Sequence, residues 1–549
     1  MEAETHKNLP ICWDMIFDKL NNPSDRDSIS LVCKEFLSIT NLIQESLTVF
    51  SPSINVLASL LRRFPHLKKI KLLNFQGDLN RAFHNLGSTM KNLKILGCSR
   101  SSMKDSDLVK IANFFPQLEE INISDSYFPH IVDSKIIAVT DEGIEFLASK
   151  LKRLRKVVLS GNRCISDKSL ISLSLNCPFL QHIVAGYSTN ITECGISFLL
   201  RNSPRLTSLC LMAHFKIGSF GVENSINFPK HLVSLKFVSL NISDEFLHSV
   251  AKAQIPLTEL TLSFCKSYTF SGISSLLHSH RYLRSLALLG AEFLTNEHID
   301  YLCQFLLNLS SIQLYCCPLL SDSAFVMLSE RCNLLSRLEI GYSCVGSEEW
   351  NNVRPLKNLA IRSLNLSSNQ FLGSANLRKV QGIFPNLEKL NLSKCFQGTE
   401  MLDVADILDY SHTVKSLELN ECRQLTFSRE KAKVSKLEKL VAKYSGINDE
   451  VLAMIGRNSP RLLYLDLEDC ENITEKGVKE VIESCKRLRY LSLSGCSNVN
   501  VDVVEYIVDN EPSLRRLISP SCGYPEEEDQ IYLLQDCLVT RGVDYEEFI

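Results

Sequence analysis

Residues 460–485 read PRLLYLDLEDCENITEKGVKEVIESC, and the fold of the whole chain follows from this stretch. Leu462, Leu465 and Leu467 alternate with polar residues, the period-two signature of a short strand with one buried face. After Cys470, the apolar residues Ile473, Val478 and Val481 recur at helical spacing, and Thr474 before Glu475 is a helix start. A strand, a turn and a helix in 26 residues is too small to bury its own apolar side.

The frame recurs along the chain. Its first apolar position falls at Leu67, Leu93, Leu118, Leu154, Leu180, Leu206, Leu232, Leu257, Leu283, Leu309, Leu335, Ile361, Leu387, Val414, Leu437, Leu462, Leu488 and Leu514. Most intervals are 26 residues and most others 25 or 27; Leu118 to Leu154 is 36, and Val414 to Leu437 is 23. The pattern resembles a leucine-rich repeat. It predicts an α/β solenoid of about 18 repeats over residues 47–522, curved, with parallel strands on the concave face and helices on the convex face. The long interval places an extra loop near 127–139, and the short one predicts an irregular turn near 423–436.

Twenty cysteines raise the question of disulfides or metal. Cys265, Cys317, Cys395, Cys422, Cys470, Cys496 and Cys522 all stand eight residues after the first apolar position, and Cys177, Cys332 and Cys485 three before it. Placement by repeat phase points to packing and to free thiols, and there is no Cys-x-x-Cys pair to hold zinc. No apolar secretory segment opens the sequence, which predicts an intracellular protein of the nucleus or cytoplasm. The uncharged stretch 301–321 stays in repeat frame, so no membrane partner is expected.

Residues 1–8 read as a free N-terminus and 523–549 as an acidic cap or tail. Residues 1–50 carry net −4 and 523–549 net −7, which against −3 overall leaves the middle at +8. That balance is a solvated mixed surface or a bias toward an acidic partner; no basic block argues for nucleic acid.

Residues 9–46 fall outside the repeat. Ile11, Met15, Ile16 and Leu20 share a helical stripe, Asn21–Ser24 break it, and Asp25 or Asp27 starts a second helix carrying Ile29, Leu31, Val32, Cys33, Phe36 and Leu37. This stretch resembles an F-box in Leu9-Pro10, Ile16, Leu20, Asp25-Arg26, Ser30-Leu31-Val32-Cys33-Lys34 and Phe36; Cys12-Trp13 depart from that pattern. The resemblance implies docking to a Skp1-type adaptor, and through it to a cullin, by Leu9, Pro10, Ile16, Leu20, Leu31, Val32 and Cys33. Read without the resemblance, the same helices are a cap on the solenoid.

No nucleotide, nucleophile-elbow or zinc-protease motif is present, and an extended repeat surface favours binding over catalysis. Candidate partner-binding residues lie on and just after the strands: Tyr187, His214, Phe264, Tyr315, Tyr342 and Tyr444. The chain resembles F-box/leucine-rich-repeat proteins with cysteine-containing repeats, which implies the non-catalytic substrate-recognition subunit of a ubiquitin ligase acting on a protein substrate. The alternatives are a repeat scaffold without ligase function and a ligand-gated receptor of the plant-hormone type. An inositol polyphosphate would need clustered cations, and Arg337, Lys389, Lys439 and Lys443 are interspersed with Glu339 and Glu418; no cofactor is expected.

Overall fold

A computed structural model describes residues 13, 16–17, 19, 29–50, 52–75, 77–84, 90, 92–101, 103–124, 139–188, 190–212, 228–347, 357–395, 401–410, 413–428, 434–520, 532–534 and 537–539. The chain forms two compact units, Met1–His280 and Arg281–Ile549. Among the described residues no helix is long and apolar enough to cross a membrane.

In the first unit, strands from Ser46–Phe50 to Glu259–Ser263 pair in parallel, each with the next in sequence. In the second, the repeat strands from Ser285–Leu289 to Arg516–Ile518 pair in parallel in repeat order, and among the described residues only the short Leu402–Asp403 and Leu425–Thr426 between them stand outside this sheet. The register follows the sequence frame: Leu440 pairs with Leu465 and Leu465 with Leu491. Leucines at equivalent places therefore stack into columns, and Leu462, Leu465 and Leu467 are fully buried. Ser46–Phe50 is the degenerate first strand, and Ile54–Arg63 is its helix. Beyond the repeats, Cys537–Val539 runs parallel to Arg516–Ile518 and antiparallel to Tyr532–Leu534.

Three ladders of hydrogen bonds recur between neighbouring repeats. On the helix side, Thr474 caps Glu475–Ser484 by accepting from the Lys476 N–H, while its own N–H and hydroxyl donate to Asp449 of the preceding helix at 2.7 and 2.6 Å. Asp105 with Thr140, Asp167 with Thr192 and Asp244 with Thr269 repeat the arrangement. The sequence frame shows Gly477 without a reason for it. A Cβ there would run into the Asp449 carboxylate and lie 2.9 Å from the Asp449 Cα. Where serine replaces this glycine, at Ser169, its N–H and hydroxyl join Ser166 in donating to Asp141.

The second ladder gives the cysteines their role. The thiols of Cys395, Cys422, Cys470 and Cys496 donate to the carbonyls of Leu366, Leu392, Ala442 and Leu467, at 2.9–3.2 Å, each at the strand end of the preceding repeat. Asn162 and Asn369 do the same where the frame has asparagine. A buried carbonyl left without a donor costs free energy, and the thiol removes that cost. Burial pushes the thiols of Cys317, Cys395, Cys422 and Cys496 up to about 12. These are free, protonated packing residues.

The third ladder is backbone. The residue seven after the first apolar position has φ between +49° and +88° in every repeat described at that point, including Asn74, Gly161, Tyr187, Phe264, Tyr342, Tyr444 and Asp469. This left-handed turn aims the N–H into the next repeat: Tyr187 to the Met212 carbonyl, Tyr342 to Ser367 and Tyr444 to Glu468, at 2.8–3.0 Å.

The irregular segments are partly described. After its repeat strand Ser416–Glu418, the short interval holds the strand Leu425–Thr426, paired with Leu402–Asp403, and no helix among its described residues. The long interval's extra loop lies outside the described residues apart from Val139, which is buried.

Candidate partner-binding surfaces

The N-terminal segment differs from its sequence reading in one respect. A single second helix running through Ile29 and Leu37 is not what forms. Residues 29–30 are helical, Leu31 and Val32 form a turn, and a new helix runs Lys34–Ile43. The cause is Cys33, which takes extended backbone (φ −158°, ψ 165°) and accepts the Phe36 N–H at its sulfur, so it caps a fresh helix. The break throws Leu31 and Val32 outward, 72 % and 67 % exposed.

Beneath that turn lies an aromatic base. Trp13 meets Phe36 at 4.9 Å and Phe17 at 5.6 Å between ring centroids, and Phe17 meets Phe36 edge-on at 5.0 Å. Phe17 is 1 % exposed. Trp13, the departure from the F-box pattern, thus serves the interior of the segment. Ile39 and Thr40 are buried on the inner side of Lys34–Ile43, and Arg63 of the next helix donates to Asn41 at 3.0 Å. Of the residues expected to face an adaptor, Ile16, Leu31, Val32 and Cys33 are exposed. Leu9, Pro10 and Leu20 lie outside the described residues.

The repeat surface presents the second set. Phe264, Tyr342 and Tyr444 are about half exposed, Tyr187 and Tyr315 are partly buried, and His214 lies outside the described residues. Tyr315 and Tyr342 form a pair with centroids 6.4 Å apart, and the Tyr315 hydroxyl lies 3.0 Å from that of Ser368. Gly341 makes room for the Tyr315 ring, since a Cβ would press into it. A hydrogen bond with the Asp469 carboxylate, aided by burial, pushes the Tyr444 hydroxyl up to about 12.

Four of these aromatics, Tyr187, Phe264, Tyr342 and Tyr444, occupy the left-handed turn position, at φ 49–59°. Bulky L-residues pay there on the order of 1–2 kcal/mol that glycine escapes. Spacing showed where these residues stand, but backbone strain leaves no periodic mark in sequence.

The strand face adds a column. Lys439, Tyr464, Tyr490 and Arg516 stand in register on consecutive strands. The two tyrosine rings stack at 4.0 Å and 2°, with the Lys439 ammonium 4.9 Å from one ring and the Arg516 guanidinium 5.7 Å from the other. Beside them Lys443 bridges Asp466 at 3.2 Å and Glu468 at 2.7 Å. Burial pulls the lysine down, but its two carboxylate partners outweigh that and hold it above its ordinary value. Arg337 is held by Glu339. These cations are thus engaged by protein groups. No cluster of His, Cys, Asp and Glu suited to a metal occurs among the described residues.

No protein-family model matches the chain. It is 25% identical to GRR1-like protein 1 of Arabidopsis thaliana over 346 residues, 60% of this chain and 53% of that one. It is 22% identical to coronatine-insensitive protein 1 of the same plant over 357 residues, 60% of this chain and 55% of that one. With F-box/LRR-repeat protein 4 of Bos taurus it shares 26% identity over 185 residues, 30% of this chain and 28% of that one. The chain is thus similar to F-box/leucine-rich-repeat proteins. It spans about half the length of the two plant relatives, and less of the bovine one. Among solved structures it is similar to a chain of the yeast Rad7–Elc1 complex, 19% identical with TM-score 0.41 over 62% of this chain and 81% of that one. It is also similar to a chain of the TLR13–ssRNA13 complex, 18% identical with TM-score 0.46 over 85% and 64%.

Proposed function

We propose that this protein is the non-catalytic substrate-recognition subunit of a Skp1–cullin–F-box ubiquitin ligase, working inside the cell. The observation that carries the reading is the exposed Leu31-Val32-Cys33 turn held over an aromatic base of the buried Phe17 and the half-buried Trp13 and Phe36. Two adjacent aliphatic side chains at 72 % and 67 % exposure, fixed by a helix cap, suit burial by another chain. The F-box residues share a compact unit with the first repeats. A partner bound at one would therefore be held close to a protein bound at the other, and ubiquitin transfer would gain from proximity.

The test is a pull-down of the intact chain with a purified Skp1-type adaptor, beside the Leu31→Ala/Val32→Ala double variant. We expect binding that the variant loses by at least about tenfold while its circular dichroism is unchanged. A folded chain that fails to bind the adaptor would overturn the ligase reading and leave a repeat scaffold in its place.

A further inference from the structure

We propose that the edge of the first unit where its strands begin carries a docking groove for an acidic peptide segment of a protein partner. This rests on reading the repeats as a partner-binding surface and not on adaptor binding. The groove is open, with a volume of about 480 Å³, and is lined by Gln181, Arg205, Thr207, His231, Val233 and Pro256. The repeat frame builds it. Arg205 and Thr207 flank the buried Leu206, and His231 and Val233 flank the buried Leu232. Gln181 follows Leu180, and Pro256 precedes Leu257.

Charge decides the occupant. No acidic residue lines the groove. The segments leading into these strands and into the strand before them, 149–156, 175–182, 201–208, 228–235 and 252–258, together hold nine Lys and Arg, five of them in 149–156, and no Asp or Glu. Part of that excess has a local reason: Lys150, Arg201 and Lys252 sit in last turns of helices, where cations suit the carbonyl ends. Arg155 pairs with Glu119 at 3.7 Å, and Lys152 donates to Asn176 at 2.8 Å.

Arg205 stands apart from these. Its guanidinium lies 4.7 Å from the centroid of the Phe179 ring, a cation–π contact that restrains the side chain, and an arginine fork suits carboxylate recognition. The backbone is already committed, since Thr207 N–H donates to Gln181 and Val233 N–H to Thr207. Recognition therefore falls to side chains. The part-buried Val233 and the exposed Pro256 seat an apolar residue beside the cation. The occupant is a segment with carboxylates on either side of one apolar side chain, drawn in by the basic edge.

The test uses the full chain without adaptor and a short fluorescent peptide of Asp and Glu around one Leu, read by anisotropy. We expect the Asn/Gln version of the peptide to bind about tenfold or more weakly. Raising NaCl from about 50 to about 200 mM weakens the acidic peptide several-fold. Arg205→Ala costs about tenfold, and Arg205→Lys recovers only part of it. Arg461→Ala, at the matching position of a repeat in the second unit, changes nothing. Thermal melts confirm that each variant is folded. The proposal falls if the folded chain does not bind, if Arg205→Ala is silent, or if a single-stranded oligonucleotide of equal charge displaces the peptide as well as the peptide displaces itself.

Discussion

Leu465 and Leu31 are the same residue put to opposite uses. Leu465 sits in a strand whose neighbours on both sides present a leucine in register, and it is fully buried by its own chain. Leu31 sits in a turn between two helical pieces and is 72 % exposed. In the repeats, one unit's apolar side is completed by the next. In the N-terminal segment the aromatic base is completed internally, and Leu31 and Val32 are surplus to it. The contrast separates apolar residues that build the molecule from those left for another chain.

The largest expected effect tests that contrast directly. Leu465→Ala leaves a hole in a close-packed column and should cost about 2–5 kcal/mol of stability by denaturant unfolding. Leu31→Ala should lie within about 0.5 kcal/mol of the parent. A Leu31 variant as damaging as the Leu465 one would mean that Leu31 is a structural residue.

The frame of the repeats was legible because it is periodic: Leu462, Leu465 and Leu467 announce a strand, and their recurrence announces stacking. Cysteine placement was legible as a phase, but not as a donor to a carbonyl in the preceding repeat, because that partner lies 28 to 30 residues away. The reason for Gly477 was hidden in the same way, since it depends on Asp449 one repeat back. At the N-terminal segment, the apolar run through Val32 and Leu37 fitted one helix. The break at Cys33 is set by a single cap, which period counting does not register.

Next in size is Gly477→Ala. The added methyl must displace Asp449, and with it the two hydrogen bonds from Thr474. We expect a loss of about 1–3 kcal/mol, against a gain from an ordinary exposed helical Gly→Ala change. Gly382, where nothing lies within 4 Å of an added Cβ, is the matched control and should be stabilised by Gly382→Ala. Equal behaviour at the two sites would remove the steric account of the ladder.

Asp141 carries the pH dependence of the same ladder. Partial burial pushes its carboxyl up, but hydrogen bonds from Ser166 and Ser169 outweigh this and leave it below the usual 3.8. A carboxyl lowered in the folded state contributes stability that is fully present above its unfolded value and is lost as pH falls through the folded one. Unfolding midpoints of the parent and Asp141→Asn should therefore differ at pH 7 and converge below about pH 3.8. A difference that persists at lower pH would assign the effect to shape rather than charge.

The smallest effect concerns the turn aromatics, where the two uses of an apolar residue meet. Tyr342 occupies a left-handed position, φ 49°, that the repeat requires for its N–H to reach Ser367. If its ring mainly packs on the Tyr315 ring, Tyr342→Gly should lose about 1 kcal/mol or more. If the ring stands out for a partner, glycine relieves the strained backbone, offset by the freedom it gains when unfolded, and stability should hold or rise by up to about 1 kcal/mol. We expect the second outcome, because the side chain is 56 % exposed and its centroid is 6.4 Å from that of Tyr315. Tyr342→Val separates conformation from contact: a β-branched residue forced to the same φ should be worse than glycine by about 1 kcal/mol or more. An aromatic held at a position where glycine is more stable is a residue kept for what it touches outside the fold, and a loss on Tyr342→Gly would return it to the interior of the repeat.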